Sequence, residues 1–345
     1  MAEVTVTIDG KQVSGREGMT ILEVAQENGI DIPTLCHHPL LTPTGVCRVC
    51  VVEDESNNEL VASCITTIVP GMVISTNSAK VIEARRNIVE LLLACHPDSC
   101  LVCDKGNRCE MRSLASKLGI GQTQFDRVRS YHHFEDANPF IERDLSLCIL
   151  CGRCVRACQE IRGVAAIDFA YRGFSLKPAT AMDKTLLEST CESCGLCVSV
   201  CPVGALSDAS TKTQGQETSK IRTICPYCGV GCNIHLSVRD HRVISVSTAD
   251  LDNDTGLCVK GRFGIQEFVH HSERLTTPLI KRNGNFEEAT WDEALDLVAS
   301  RLASYKTDEL ALISSAKCTN EDNYVAQKLG RAVLGTNNID HCARL

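Results

Sequence analysis

The chain has no long hydrophobic run. Its longest apolar stretch, Ile88 to Cys95, is broken by Glu90. It falls well short of the ~20 residues that a bilayer-crossing helix needs, so no membrane span is expected. The opening MAEVTVTIDG lacks the apolar segment of a secretory signal. No lysine and arginine stripe stands out, and 35 basic against 43 acidic side chains leave a formal charge of −8, which argues against a nucleic-acid partner. No Gly-x-Gly-x-x-Gly turn, phosphate-binding lysine loop or Ser/His/Asp signature occurs, so nicotinamide, ATP and hydrolase sites are not expected in these residues. Cysteine, in contrast, is abundant: 22 in 345 residues. A chain this long is not a small disulfide scaffold. A cytoplasmic location is expected, where thiols stay free or bind metal.

The patterning predicts an α+β, multidomain protein. Residues 1–78 read as a β-rich domain: Val4, Val6 and Ile8 alternate, Asp9-Gly10 marks a hairpin, and Thr20 with Glu23 forms a capping box before a short helix. From Ser78 to Cys95, Val81, Ile82, Ile88, Leu91 and Leu92 suggest the buried stripe of an amphipathic helix. This helix opens a second region, 79–120, followed by a mixed connector over 110–140. A third region, 138–210, contains an internal repeat, and the polar stretch from Ser207 to Lys220 reads as a linker. Residues 218–275 hold a further cysteine set around the strand-like Val243, Ile244 and Val246. Over 276–345 a helix capped by Thr290 and Glu293, a strand at Leu310–Ile313 and a helix from Asn320 to a stop at Gly335 open an α/β domain. One such strand with no neighbours does not close a core, so a longer natural polypeptide is expected.

Thiolates are soft ligands for iron–sulfur clusters or zinc. Cys148-x2-Cys151-x2-Cys154-x3-Cys158 recurs as Cys191-x2-Cys194-x2-Cys197-x3-Cys201. This is the bacterial ferredoxin spacing, in which the fourth cysteine of each run serves the other cluster. Cys201 is thus expected with Cys148, Cys151 and Cys154, and Cys158 with Cys191, Cys194 and Cys197. Cys36, Cys47, Cys50 and Cys64 have the wide-narrow-wide spacing of a plant-type [2Fe–2S] site, with ten residues where that pattern has four; a structural zinc knot is the alternative. Cys225, Cys228, Cys232 and Cys258 form another cubane set, with Gly229, Gly231 and Gly256 allowing close backbone approach. Cys100, Cys103 and Cys109 follow His96 at a ligand-like spacing, an external fourth ligand being the alternative. Cys95, Cys318 and Cys342 are left over and expected as small buried hydrophobes. Nineteen cysteines and His96 would supply four ligands to each of five clusters. A series of one-electron centres conducts between distant two-electron sites, so the chain is expected to move electrons whose substrates react elsewhere.

The order of these motifs resembles the front end of complex I large subunits, [FeFe] hydrogenases and NAD(P)-dependent formate dehydrogenases. Complex I large subunits usually lack one full ferredoxin quartet, and a hydrogenase would next show its hydrogen-cluster cysteines. Here ICPYCGVGC and GLCVKGRFG look like the cubane-binding start of molybdenum or tungsten bis-pterin enzymes. The tail SSAKCTNEDNYVAQKLGRAVLGTNNIDHCARL is similar to formate dehydrogenase catalytic subunits. The resemblance implies a β-grasp [2Fe–2S] domain, a one-His-three-Cys [4Fe–4S] domain with His96 as ligand, a two-cluster ferredoxin domain, and the start of a bis-pterin oxidoreductase. It thus implies one [2Fe–2S] and four [4Fe–4S] clusters, plus a molybdenum or tungsten bis-pterin guanine dinucleotide in the full-length protein. Lys260 resembles the lysine between pterin and cluster, and Arg344 would lie near the reacting metal. The implied reaction is reversible formate oxidation, with electrons passing to NAD(P)- and flavin-binding iron–sulfur subunits and with hydrogenase subunits as further partners. In that family a metal-ligating cysteine or selenocysteine follows the Cys342–Leu345 stretch, so a selenocysteine codon read as a stop is expected after Leu345. The chain alone would then carry electrons without oxidising formate. The alternative is a non-catalytic iron–sulfur subunit of a hydrogenase or NADH dehydrogenase complex.

Overall fold

The computed structural model describes residues 2–128, 138–211, 215–249 and 256–343. The chain divides into two compact units, Met1–Gly215 and Gln216–Leu345.

In the first unit the alternating opening forms β1 (Glu3–Ile8), with Val4, Val6 and Ile8 buried. Asp9 and Gly10 both take left-handed φ, 50° and 76°, turning the chain into β2 (Lys11–Arg16) as a two-residue hairpin demands. Helix α1 (Ile21–Glu27) starts at Thr20. Its hydroxyl accepts from the Glu23 N–H while the Glu23 carboxylate accepts from the Thr20 N–H. Strands β3 (Val51–Asp54), β4 (Glu59–Ala62) and β5 (Val73–Ser75) complete a sheet of order β2-β1-β5-β3-β4, in which only β1 and β5 are parallel. Ile21, Leu22 and Val24 of α1 pack into one core with Val6, Ile8, Val52 and Ile74. Each such aliphatic side chain contributes about 1.5–3 kcal/mol by leaving water.

Helix α2 (Ala79–Ala94) is capped by the Ser78 hydroxyl, which accepts from the Val81 N–H. Its buried face departs from the expected stripe. Val81, Arg85, Val89 and Glu90 are buried, whereas Ile82 and Leu91 are exposed. The polar members are inside because distant segments satisfy them: Arg85 donates to the Thr76 and Val51 carbonyls at 3.0 and 2.7 Å, and the Glu90 carboxylate accepts from the Gln124 N–H. Helix α3 (Glu110–Lys117) follows Cys109, whose sulfur accepts the Arg112 N–H at 3.5 Å.

The repeat region runs through β6 (Ile141–Arg143), α4 (Arg153–Arg156), β7 (Asp168–Ala170), β8 (Lys177–Ala179), α5 (Leu196–Val200) and β9 (Leu206–Asp208). β6 pairs with β9, so the first residues of the polar stretch read as a linker are strand instead. The sequence repeat is also a repeat of conformation. Leu150 and Gly152 enter α4 with φ 55° and 70°, and Ser193 and Gly195 enter α5 with φ 51° and 71°.

In the second unit β10 (Ser219–Ile224), β11 (Asn233–Arg239) and β12 (Arg242–Thr248) form an antiparallel sheet. Helix α6 (Ile265–Val269) contributes Ile265 to a core with Ile234, Val246 and Leu257. A hairpin of β13 (Leu279–Arg282) and β14 (Asn285–Glu288) precedes α7 (Trp291–Ala303), which carries the expected Thr290–Glu293 capping box. Then β15 (Leu312–Ser314), α8 (Asn320–Lys328) and β16 (Ile339–His341) form a β-α-β unit whose strands are parallel. The sequence suggested only the first strand. Past α8 the chain turns through Leu329–Val333 to Gly335, which has φ 69°. Arg344 and Leu345 lie outside the described residues. Among the described residues no helix is long and apolar enough to cross a membrane.

Candidate metal centres

Cys36 lies beyond α1, Cys47 and Cys50 on the approach to β3, and Cys64 just after β4. The sheet and α1 thus bring four thiols from three loops together. Cys36, Cys50 and Cys64 are each only 1% exposed. The Cys36 N–H donates to the Cys47 sulfur at 3.3 Å, and the Cys50 and Cys64 sulfurs are 3.3 Å apart. Hydrogen bonds from Cys47 and Cys64 pull the Cys36 thiol far below its ordinary value, and one from Cys64 brings Cys50 to about 6; the donors are pushed up. Only part of this quartet ionises unaided, and metal cations would allow all four to become thiolates. Four neighbouring soft donors, three buried and Cys47 half-buried, fit a two-iron cluster.

In the second set His96 follows the Cys95 cap of α2, and of its thiols Cys109 is buried, Cys103 half-buried and Cys100 exposed. His96 is 8% exposed, and its Nδ1 lies 3.0 Å from the Pro97 carbonyl. Its Nε2 is buried without a hydrogen-bond partner. Burial also holds the imidazolium below its usual range, so the ring is neutral. A neutral ring donating through Nδ1 and offering a bare Nε2 lone pair is the form that a metal takes. Cys100 and Cys103 act electrostatically on Cys109, which burial pushes up. Gly204 leaves room for this set: a Cβ there would stand 2.5 Å from the Cys103 sulfur.

The repeat brings its cysteines together in exchanged fashion. Cys148, Cys151, Cys154 and Cys201 line one apolar cavity with Leu145 and Ile167, and Cys197 of the other quartet lines it too. Burial above all pushes the Cys191, Cys194 and Cys197 thiols up, with the nearby Cys158 adding to it. Burial pushes Cys148 to about 12 and Cys151 to about 11, so these thiols also become anions readily only on a cation.

Cations join these loops, Arg153 and Arg156 buried and Lys105 half-buried. Arg153 meets Glu110, and Lys105 donates to the Cys201 carbonyl at 2.6 Å. The Glu110 N–H donates to the Pro202 carbonyl at 3.0 Å. Arg156 donates to the Cys36, Thr42 and Cys151 carbonyls. The cysteine spacing did not reveal these residues. A signal existed in the repeat itself: Arg153 and Arg156 occupy places that Leu196 and Ser199 hold in the second copy.

In the second unit the Cys225–Cys232 loop joins β10 to β11, closed by the Cys225 N–H donating to the Cys232 carbonyl at 2.9 Å. Cys258 reaches it from the other side. A Cβ on Gly261 would lie 3.5 Å from the Cys225 sulfur and 3.9 Å from that of Cys258, so both sulfurs face one point. Gly229 receives the Asn320 side chain, 3.0 Å from where its Cβ would be. Lys260 is exposed, two residues beyond Cys258, which is also exposed. Cys95 and Cys342 are exposed and Cys318 half-buried, against the expectation of buried packing: Cys95 caps the solvent end of α2, and Cys342 follows an edge strand. Among the described residues no three His, Cys, Asp or Glu groups close on a point as a single metal ion requires.

Comparison with known proteins agrees with this layout. Residues 1–79 match the 2Fe-2S iron-sulfur cluster binding domain, and residues 85–124 match the NADH-ubiquinone oxidoreductase-G iron-sulfur binding region. Residues 138–207 match the ferredoxin-like domain of NADH-quinone oxidoreductase subunit 3. Residues 218–271 match the molybdopterin oxidoreductase Fe4S4 domain, and 274–345 match molybdopterin oxidoreductase. The chain is 38% identical to the alpha subunit of the NADPH-Fe(3+) oxidoreductase of Geobacter sulfurreducens, over 99% of this chain and 40% of that protein. It is 36% identical to a Bacillus subtilis protein named "Putative formate dehydrogenase YrhE", with the same two coverages. The chain therefore spans about 40% of the length of these relatives. A crystal structure of NAD+-reducing [NiFe]-hydrogenase in the H2-reduced state aligns with TM-score 0.59 and 31% identity, over 62% of this chain and 91% of that one. Residues 218–345 thus match molybdopterin oxidoreductase models, and the residues before them match [2Fe–2S], iron–sulfur-binding and ferredoxin-like ones.

Proposed function

We propose that this chain is the iron–sulfur electron-transfer portion of a formate dehydrogenase catalytic subunit. In this reading Cys36, Cys47, Cys50 and Cys64 hold a [2Fe–2S] cluster. His96 with Cys100, Cys103 and Cys109, the two exchanged ferredoxin quartets, and Cys225 with Cys228, Cys232 and Cys258 hold four [4Fe–4S] clusters. The order of the first sheet, with its one parallel pair beside α1, supports a β-grasp domain at 1–78. The regions 79–120, 138–210, 218–275 and 276–345 follow as cluster, ferredoxin, cubane and pterin-domain segments.

The observation that carries the conducting role is that ligand-bearing loops hold one another directly. Lys105, two residues beyond Cys103, bonds the Cys201 carbonyl, and Glu110, next to Cys109, bonds that of Pro202. A bound molybdenum or tungsten pterin would supply the two-electron chemistry, formate giving carbon dioxide, one proton and two electrons. The chain's residues would hold the thiolates and pass the electrons singly. They end on an NAD(P)-linked flavoprotein partner, where two electrons and a proton reduce the nicotinamide. Lys260, two residues beyond Cys258, would supply a cation between the Cys225 quartet and a bound pterin. The tail from Ser314 to Leu345 and the relative named for formate dehydrogenase favour formate over other substrates.

The second reading, a non-catalytic subunit of a hydrogenase or NADH dehydrogenase complex, is favoured by the coverage of the hydrogenase chain. Metal analysis of the native complex with a formate assay separates the two. Molybdenum or tungsten with pterin, and cluster reduction by formate, is expected. Iron alone, with no response to formate, would support the second reading.

A further inference from the structure

Arg156 is 7% exposed at the end of α4, two residues after Cys154 and two before Cys158. A guanidinium in such a place is costly to desolvate unless its N–H groups are used. Its Nη2 donates to the Cys36 carbonyl at 2.6 Å and to the Cys151 carbonyl at 3.3 Å, and its Nη1 donates to the Thr42 carbonyl at 2.6 Å. One planar cation thus holds the backbone of a candidate ligand from each of two quartets. Glu160 adds a second tie, its carboxylate accepting the Thr42 N–H at 2.8 Å. The three acceptors of Arg156 are neutral carbonyls, so these bonds bring it no counter-charge of their own. The second copy of the repeat has Ser199 at this place. The device therefore belongs to one half of the repeat only, the half beside the Cys36 loop.

We propose that Arg156 is a positioning residue for electron transfer between the cluster of Cys36, Cys47, Cys50 and Cys64 and that of Cys148, Cys151, Cys154 and Cys201. Its fork fixes their separation, and its charge stabilises the reduced state of both. This rests on the ligand assignment proposed above. Reduction adds one negative charge to a cluster, which a nearby cation in a medium of low dielectric favours. The rigid fork reaches three carbonyls at once, whereas a lysine ammonium is a point charge on a flexible stem.

The test uses the 345-residue chain loaded anaerobically with iron and sulfide, as wild type, Arg156→Gln and Arg156→Lys. Iron content is measured, and the chain is titrated by electron paramagnetic resonance. In wild type both reduced clusters are expected, with magnetic broadening between them. In Arg156→Gln at full iron content, the reduced-to-oxidised ratio of both clusters at a fixed potential falls about tenfold, or 59 mV for one electron. Arg156→Lys keeps both ratios within about threefold of wild type while the broadening weakens. A purely structural role would lower iron content without moving both potentials in one direction. Unchanged potentials in loaded Arg156→Gln, or unchanged broadening in Arg156→Lys, would overturn the inference; the lysine variant decides alone if the glutamine variant loses its clusters. Absence of the two signals from wild type would overturn the ligand assignment and this inference with it.

Discussion

Arg153 and Glu110 meet fork to fork, the two terminal nitrogens of the buried guanidinium donating to the two carboxylate oxygens at 2.8 and 2.9 Å. Glu110 directly follows Cys109 and Arg153 directly precedes Cys154. The pair therefore fastens the loop of the His96 set to the helix of the ferredoxin pair. Glu110→Gln leaves the Arg153 cation buried without its counter-charge. A fully buried pair broken in this way costs about 3–5 kcal/mol. The Glu110 side chain is 45% exposed, so a loss of about 1–3 kcal/mol is expected in denaturant unfolding of the cluster-loaded chain. A change below about 0.5 kcal/mol would mean that the pair is only a surface contact.

His96 gives two readouts. His96→Ala removes the bare Nε2 donor and is expected to cost the chain one cubane's worth of iron, about four atoms. His96→Cys is expected to keep the iron and move that cluster's potential negative, because a thiolate adds charge where imidazole adds none. Iron analysis with a redox titration decides, and full iron in His96→Ala would point to another ligand.

The same histidine sets a pH dependence in the metal-free chain. Burial lowers its folded-state value below the ordinary 6.5. On acidification the unfolded chain therefore takes up this proton first, and stability falls. The contribution of the neutral ring is whole above about pH 6.5 and is lost as pH drops towards the folded-state value. Unfolding curves from about pH 7.5 to about 5.5 should be steeper in pH for wild type than for His96→Gln. Parallel curves would remove His96 from the account.

Gly204 tests the packing of two centres at once. An alanine methyl there would meet the Cys103 sulfur at 2.5 Å, well inside contact distance. Gly204→Ala is expected to displace Cys103 and weaken the His96 centre, read as loss of one cubane signal with the [2Fe–2S] signal retained. Gly10→Ala has open space around its Cβ but a left-handed φ of 76°. It should cost about 1 kcal/mol and leave every cluster in place.

Local signals in the sequence were read directly. Asp9-Gly10, Thr20 with Glu23, and Thr290 with Glu293 act within four residues, and each sits at the turn or cap expected. The buried side of α2 was illegible because Arg85 and Glu90 owe their burial to Thr76, Val51 and Gln124, far along the chain. Ile339–His341 has too little apolar alternation to announce a strand, and it pairs only because α8 returns it beside Leu312–Ser314. Among the candidate ligands, cysteine spacing placed Cys201 with Cys148, Cys151 and Cys154, which share a cavity, but did not anticipate that Cys197 lines it as well. The cations that tie these loops together were not legible, since an arginine in a helix looks solvated until the carbonyls it meets are known.

The chain's proposed work as a wire stands on its clusters, and iron with acid-labile sulfide, measured per chain after anaerobic purification, tests it most directly. The account predicts about 18 iron atoms and an equal amount of sulfide. Zinc in place of iron, or iron without sulfide, would contradict it.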